Sequence, residues 1–162
     1  MHRVTLLTGS NEEHAAEILG HAAALLEQKI GSVEAQSALY RSEPWGFSAA
    51  REFYNQALRF TTALEPLEVL DVALEVERLL GRRRDEEQRE KERSGERYAS
   101  RVVDVDVMFY DDRVIRSERL TLPHPLLHER EFALAPLCEI MPEEVHPVLH
   151  RSLEDLYETI KR

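Results

Sequence analysis

Asp104 and Asp106 are the residues of this chain whose type and spacing most directly suggest chemistry. They stand two apart in the run Arg101-Val102-Val103-Asp104-Val105-Asp106-Val107-Met108-Phe109, which otherwise reads as a buried β-strand. Residues at i and i+2 of a strand share a face, roughly 7 Å apart along the chain. Both carboxylates therefore project together, while Val103, Val105 and Val107 project to the other side. Carboxylates in an apolar setting are costly unless compensated. The compensation is either an arginine ion pair or one or two divalent cations held by oxygen ligands, and the pattern alone leaves these two readings equal. In the second case the chemistry is phosphoryl transfer. Mg²⁺ prefers one or two protein carboxylates plus substrate phosphates and water, and two carboxylates on one face suit two ions about 3.5–4 Å apart.

The segment before this strand supplies cations. Arg82 to Arg101 holds eight basic residues (Arg82, Arg83, Arg84, Arg89, Lys91, Arg93, Arg97, Arg101) and six acidic ones (Asp85, Glu86, Glu87, Glu90, Glu92, Glu96), with no Val, Ile, Leu or Phe to bury. It reads as a mobile, charged loop. A solvated surface is the ordinary reading of its middle. Its flanking arginines return to a helix end and to the Asp strand, and arginine forks fit phosphate oxygens bidentately. Such a loop can close over a polyphosphate and exclude water. Trp45, Phe53, Asn55 and Phe132 form an aromatic and amide set, with Phe53 and Asn55 on one strand face. A flat heterocycle needs aromatic faces above and below and an amide at its edge, although each aromatic alone reads more simply as core. His124 lies in a stiff loop between Pro123 and Pro125. There is no Walker loop, no GxGxxG and no Cys/His metal cluster.

The elements that must hold these residues follow from periodicity and punctuation. Val4–Leu7 is a strand that ends at Gly9. Ser10 and Glu13 resemble a capping box opening a helix that runs to about Ile30, where Gly31 stops it. Val33–Arg41 is a weakly alternating strand, residues 42–47 a Pro/Gly loop, and Phe53–Phe60 a third strand. Pro66 opens a helix, with Leu67, Leu70, Val72, Leu74, Val76 and Leu79 as its apolar set, ending at Gly81. After the Asp strand come a turn at Asp111-Asp112, a short strand at Val114-Ile115, a rigid loop over Thr121–Pro125, a helix over Phe132–Met141, and a last helix capped by Ser152. The order is roughly βαββαβ with helical additions. It predicts an α+β, ferredoxin-like fold: an antiparallel sheet with helices on its faces, an α/β/α sandwich.

At 162 residues with 43% apolar content, the chain suits one domain spanning 1–162. A net charge of -10 disfavours nucleic acid and anionic lipid as partners. No apolar run approaches the ~20 residues that span a bilayer, and nothing reads as a signal peptide. The lone Cys138, in an apolar helical run, reads as a small core residue of a reducing compartment. The expectation is a soluble, single-domain protein of a reducing compartment.

Several blocks, in order along the chain, resemble one known family. They are Gly9-Ser10-Asn11, Tyr40-Arg41-Ser42-Glu43-Pro44-Trp45-Gly46, Phe53-Tyr54-Asn55, Glu77 with Gly81-Arg82-Arg83-Arg84, Arg97 to Met108, and Leu120-Thr121-Leu122-Pro123-His124 with Arg130 and Phe132. Together they look like the 6-hydroxymethyl-7,8-dihydropterin pyrophosphokinases and cover most of the chain.

The resemblance implies a monomeric, cytoplasmic, ATP-dependent enzyme of folate synthesis that acts on small molecules, moving a pyrophosphoryl group to a reduced pterin and releasing AMP. It implies that Asp104 and Asp106 hold two Mg²⁺ and act catalytically with Arg82 and Arg101. It places ATP among Glu77, Arg82, Arg84, Tyr98, Arg101, Arg119, Thr121, His124 and Arg130. It places the pterin between Phe53 and Phe132, with its edge read by Asn55 and by Ser42, Pro44 and Trp45. Where the family usually carries Trp-Gly-Pro before the signature arginine, this chain has Tyr98-Ala99-Ser100.

Overall fold

A computed structural model of the chain describes residues 1–42, 52–81 and 103–161. The element order is β1 (His2–Ser10), α1 (Ala15–Lys29), β2 (Val33–Gln36), β3 (Tyr40–Ser42), β4 (Phe53–Thr62), α2 (Pro66–Leu79), β5 (Asp104–Tyr110), β6 (Ile115–Arg116), β7 (Thr121–Leu122), a 3₁₀ turn at Leu127–Glu129, α3 (Glu131–Ile140) and α4 (Leu153–Lys161). The expected charged loop and most of the expected 42–47 loop lie outside the described residues. No helix among the described residues is long and apolar enough to cross a membrane.

The main sheet is antiparallel, in the order β2-β4-β1-β5, with β3 also paired to β4. Strand β1 is buried from Val4 to Ser10, which explains why its sequence, Val4-Thr5-Leu6-Leu7-Thr8, fails to alternate. Both of its faces are covered. On one face Val4, Leu6, Leu58, Phe60, Val105 and Val107 pack with Leu19 and Leu26 of α1 and Val69, Ala73 and Val76 of α2. On the other, Leu7, Ala57, Met108 and Phe109 pack with Leu134 and Leu137 of α3 and Leu153 and Leu156 of α4. The architecture is therefore an antiparallel α+β fold. A register shift between Thr5 and Leu6 lets β5 switch faces. As a result Val107 faces the first helix pair, and Met108 and Phe109 both face the second.

Three local expectations need correction. Ser10 does not cap α1. It is the last residue of β1, its Oγ accepts the Glu12 N–H at 3.2 Å, and the helix begins later, at Ala15. A capping box instead opens α2, where Glu68 accepts the Glu65 N–H at 2.9 Å ahead of Pro66. Of the apolar set expected for α2, Val76 is fully buried, Leu70, Val72 and Leu74 are half-buried, and Leu67 and Leu79 are exposed; the buried stripe is Val69, Ala73 and Val76. Only spacing of three and four keeps residues on one helical face. Finally, Val33–Arg41 is two strands, because Ser37 interrupts it. The Ser37 N–H donates to the Ala57 carbonyl and its Oγ accepts the Ala57 N–H, both at 2.9 Å. This satisfies the ladder across the break. The segment is tied down by Glu139 of α3, which accepts from the Ala38 N–H and, at 2.8 Å, from the Tyr40 hydroxyl. That bond holds the Tyr40 proton and pushes its pKa up to about 12.

The turn after β5 is built as expected around Asp111, at φ 49°. Its carboxylate accepts the Arg3 N–H at 2.8 Å and pairs with His2 at 2.7 Å. Burial raises its proton affinity, but these bonds outweigh burial and hold the group below its usual pKa. Cys138 is half-buried against the second cluster, and burial pushes its thiol up to about 11, which keeps it unreactive.

A histidine group beside α4 should make the fold acid-sensitive. His146 is 4% exposed, lies edge-on to Phe109 and His128, and accepts the Val148 and Leu149 N–H groups at Nδ1. Burial, then the neighbouring His128 and His150, lowers its pKa from 6.5 to about 4. The unfolded chain thus binds this proton more readily than the folded one. The neutral-histidine stability is complete above about pH 6.5 and declines as pH falls toward about 4. Denaturant midpoints measured across that window should show the decline. His146→Asn, whose amide oxygen can replace Nδ1 as acceptor, should flatten it.

Candidate active site

The site grows from two rows that cross the sheet. In the first, Asp104 of β5 stands opposite Gly9 of β1, which stands opposite Asn55 of β4. In the second, Asp106 stands opposite Leu7, which stands opposite Ala57. Cross-strand partners share a face, and neighbouring strands lie about 4.8 Å apart. Leu7 and Ala57 belong to the α3/α4 cluster, so both carboxylates emerge on that face. They are half-exposed, whereas Val103, Val105 and Val107 are buried beneath α1 and α2. The alternation in the sequence is therefore the alternation between a wet rim and a dry core.

Strand β5 is an edge strand, and two groups steady its free edge. Glu77 of α2, 4% exposed, accepts the Val105 N–H at 2.9 Å. That N–H lies between the two aspartates, so Glu77 holds the backbone that aims them. The Met108 carbonyl accepts the His124 N–H at 3.0 Å. This places the Pro123-His124-Pro125 loop two residues beyond Asp106, at the end of a cis Leu122–Pro123 bond. His124 Nδ1 accepts the Leu126 N–H at 3.4 Å, which puts the proton of a neutral ring on Nε2. Burial, and then the Arg130 cation, lowers the His124 pKa and favours that neutral form. Thr121 is half-buried in β7, opposite Arg116.

Phe53 and Asn55 share one face of β4, and Phe53 stands opposite Ser42 of β3. The Asn55 Nδ2 donates to the Thr8 carbonyl at 3.3 Å. Phe132 lies on the first turn of α3, the helix that packs on this face, and is 36% exposed. The Arg130 guanidinium lies 5.6 Å from its ring centre, a cation–π contact that steadies both side chains. Asp104, Asp106, Asn55, Phe53 and Ser42 thus come together through sheet register, with His124 and Thr121 attached at β5 and Arg130 and Phe132 entering from α3. Arg119 is held differently: it pairs with Asp71 of α2 at 2.5 Å, both groups exposed. Pro44, Trp45, Arg82, Arg84, Tyr98 and Arg101 lie outside the described residues.

Two residues of the site were not assigned roles from the sequence. Gly9 separates Asp104 from Asn55. Asn11 is 1% exposed, and its Oδ1 has no hydrogen-bond partner among the described residues. The Gly-Ser-Asn block is visible in the sequence, but only the strand register reveals that its glycine stands between Asp104 and Asn55.

The donor set fits Mg²⁺. The described residues hold no cluster of three or more His, Cys, Asp or Glu able to cage a metal, and Mg²⁺ does not need one. It binds through one or two carboxylates and keeps water and substrate phosphates for the rest. Two half-exposed carboxylates on one strand face meet that requirement.

The chain is similar to known proteins over most of its length. Residues 5–142 match the model of the 7,8-dihydro-6-hydroxymethylpterin-pyrophosphokinase family. A 2-amino-4-hydroxy-6-hydroxymethyldihydropteridine pyrophosphokinase of Aquifex aeolicus is 35% identical over 155 residues, covering 96% of this chain and 90% of that protein. The enzyme of that name from Methylorubrum extorquens is 39% identical over 146 residues, covering 90% and 86%. The folate synthesis bifunctional protein of Arabidopsis thaliana is 34% identical over 141 residues, but the match covers only 27% of it. Among solved structures, the Plasmodium falciparum HPPK-DHPS with pteroate superposes with a TM-score of 0.74 at 16% identity. The match covers 98% of this chain and 42% of that one, so the chain spans less than half of that protein and shares its fold over that part. With a family model matched over most of its length and relatives above 30% identity along nearly all of it, this chain belongs to the 7,8-dihydro-6-hydroxymethylpterin-pyrophosphokinase family.

Proposed function

We propose that the chain transfers the pyrophosphoryl group of ATP to the hydroxymethyl group of 6-hydroxymethyl-7,8-dihydropterin, in folate synthesis, with AMP as the second product. The observation that carries this reading is the Asp104–Gly9–Asn55 row, which sets a metal-type carboxylate and a ring-reading amide on one face, two strands apart. In the reaction the pterin hydroxyl oxygen bonds to the β-phosphorus, and the bond from that phosphorus to the α–β bridging oxygen breaks. The electron pair of that bond leaves with AMP.

Asp104 and Asp106 would hold two Mg²⁺, which supply charge neutralisation and orientation of the phosphate oxygens. The chain's own groups do the positioning, which dominates phosphoryl transfer. Phe53 and Phe132 flank the pterin ring, while Asn55 and Ser42, with Pro44 and Trp45, read its edge. The aspartates would also orient the pterin hydroxyl and accept its proton. The His124 Nε2–H donates to a phosphate oxygen, held by the Met108 anchor. Arg130 and Thr121 contact ATP beside it. Arg82, Arg84, Tyr98, Arg101 and Arg119 complete the ATP side, with Arg82 and Arg101 countering charge in the transition state. Glu77 serves the same site through the Val105 backbone.

We also infer the ferredoxin-like class for the fold, and a single domain. The order β2-β4-β1-β5, with one helix after β1 and one after β4, supports the first. One main sheet carrying both helix pairs supports the second.

The direct test is AMP release from ATP in the presence of Mg²⁺ and 6-hydroxymethyl-7,8-dihydropterin. Turnover that requires all three components is expected. Folded protein that releases no AMP above background would sink the reading.

A further inference from the structure

Gly9 occupies the crossing point of the site row, and its backbone gives no reason for a glycine. The positive-φ glycines among the described residues are Gly31 and Gly81. Gly9 lies instead in extended β1, where a glycine weakens a strand by leaving nothing to pack. Space explains it. A Cβ at position 9 would lie 2.5 Å from Asn55 Nδ2 and 3.5 Å from Asn55 Cγ. The first distance is closer than such atoms approach. The Asn55 amide therefore fills the notch that a side chain would take, and its bond to the Thr8 carbonyl holds it there. Asn55 is 7% exposed, so solvent gives the amide little freedom to turn.

An amide pinned in this way has a fixed sense. One of its N–H groups is spent on Thr8, which leaves Oδ1 as an acceptor and the second N–H as a donor. That order matches a ring edge with an N–H beside a C=O. A ring edge with an unprotonated nitrogen beside an amino group presents the reverse order and would need the amide flipped. We propose that Gly9 is a positioning residue for the heterocyclic substrate. By leaving room for the Asn55 amide in one orientation, it selects a ring with a lactam edge over one with an amino-imine edge. The inference rests on the pterin reading of Asn55 given above.

The test compares wild type, G9A, N55A and the double variant G9A/N55A. Calorimetry measures 6-hydroxymethylpterin and its 2,4-diamino counterpart, each with Mg²⁺ and a non-hydrolysable ATP analogue, and the ATP analogue alone. KM and kcat for the dihydropterin are measured in parallel. G9A should weaken binding of the oxo-pterin about tenfold or more and draw the oxo/diamino ratio toward one. Its effect should fall mainly on the pterin KM, with ATP-analogue affinity unchanged to within about twofold. The double variant should bind like N55A, because the two changes remove one interaction.

A folded G9A with the wild-type ratio, or losses that multiply in the double variant, would overturn the proposal. If G9A does not fold, the double variant decides. G9A/N55A melting with N55A supports the steric coupling, and its failure to fold beside a folded N55A overturns it. Wild-type protein that binds no pterin would sink both the pterin reading and the proposal. Wild type that turns over but is indifferent to N55A would sink the proposal and leave the activity standing.

Discussion

Asp106→Ala should fold as the wild type does and release AMP at least about 10³-fold more slowly, a loss of about 4 kcal/mol of transition-state stabilisation. Folding should survive because the side chain belongs to the half-exposed rim of β5. The strand itself is secured by the β1 ladder, the Glu77 bond to Val105 and the His124 bond to Met108. Turnover should fall because charge neutralisation at the transferring group is the largest single contribution the site can make. Asp104→Ala should behave similarly. Melting temperature, circular dichroism and AMP release on the same preparations check the prediction. Wild-type turnover in Asp106→Ala would sink the metal reading. Loss of folding would show that the pair is structural, the reading that the sequence pattern alone left equally open.

Gly31→Ala should cause the largest stability loss of any single methyl added at a glycine in the described residues. Gly31 ends α1 at φ 156°. A Cβ there would fall well inside contact distance of the Thr61 carbonyl oxygen. Neither side can yield. Thr61 is paired with Arg3 in the β1–β4 ladder and donates its N–H to the Ser32 carbonyl at 3.0 Å, while the Thr62 hydroxyl donates to the Ile30 carbonyl at 2.8 Å. The clash is backbone against backbone, so the cost should reach about 3 kcal/mol. For a chain of this size that lowers Tm by roughly 6–12 °C. Gly20→Ala is the internal contrast. Gly20 lies in α1 with nothing within 4 Å of an added Cβ, so it should gain up to about 1 kcal/mol from helix propensity. Thermal or denaturant unfolding of both variants checks the pair. A mild Gly31→Ala would mean that the α1–β2 connection is looser than its hydrogen bonds indicate.

Much of the site could be read along the chain because its signals are local. The two-residue repeat places Asp104 and Asp106 on the face opposite Val103, Val105 and Val107, since strand geometry alone sets that alternation. Phe53 and Asn55 share a face for the same reason. Gly31, Pro66, Gly81 and Ser152 marked their helix ends correctly, because backbone freedom, a missing donor and a capping hydroxyl act within a turn. Ser10 misled, because a capping box is a weak local preference, and pairing with Tyr54 kept that residue in β1. The apolar set of α2 misled because several leucines were available, and only contact with the sheet chose among the helix faces.

What the sequence by itself determined is most of the main elements, the α+β class and the carboxylate pair with its aromatic and amide companions; the break between β2 and β3, and strand β7 within the expected Thr121–Pro125 loop, were not legible in it. The legible features follow from backbone periodicity and from side-chain chemistry carried by single residues. What only the tertiary structure decided is which residues face one another across strands. Register placed Gly9 between Asp104 and Asn55, while the packing of α2 and of the loop after β7 turned Glu77 into the group that holds the Val105 N–H, tied His124 to Met108 and sent Arg119 to Asp71. Each of these pairings joins positions tens of residues apart or more, or depends on a hydrogen bond at the free edge of β5. No local pattern encodes such contacts, because they exist only once the two hydrophobic clusters have locked the strands side by side.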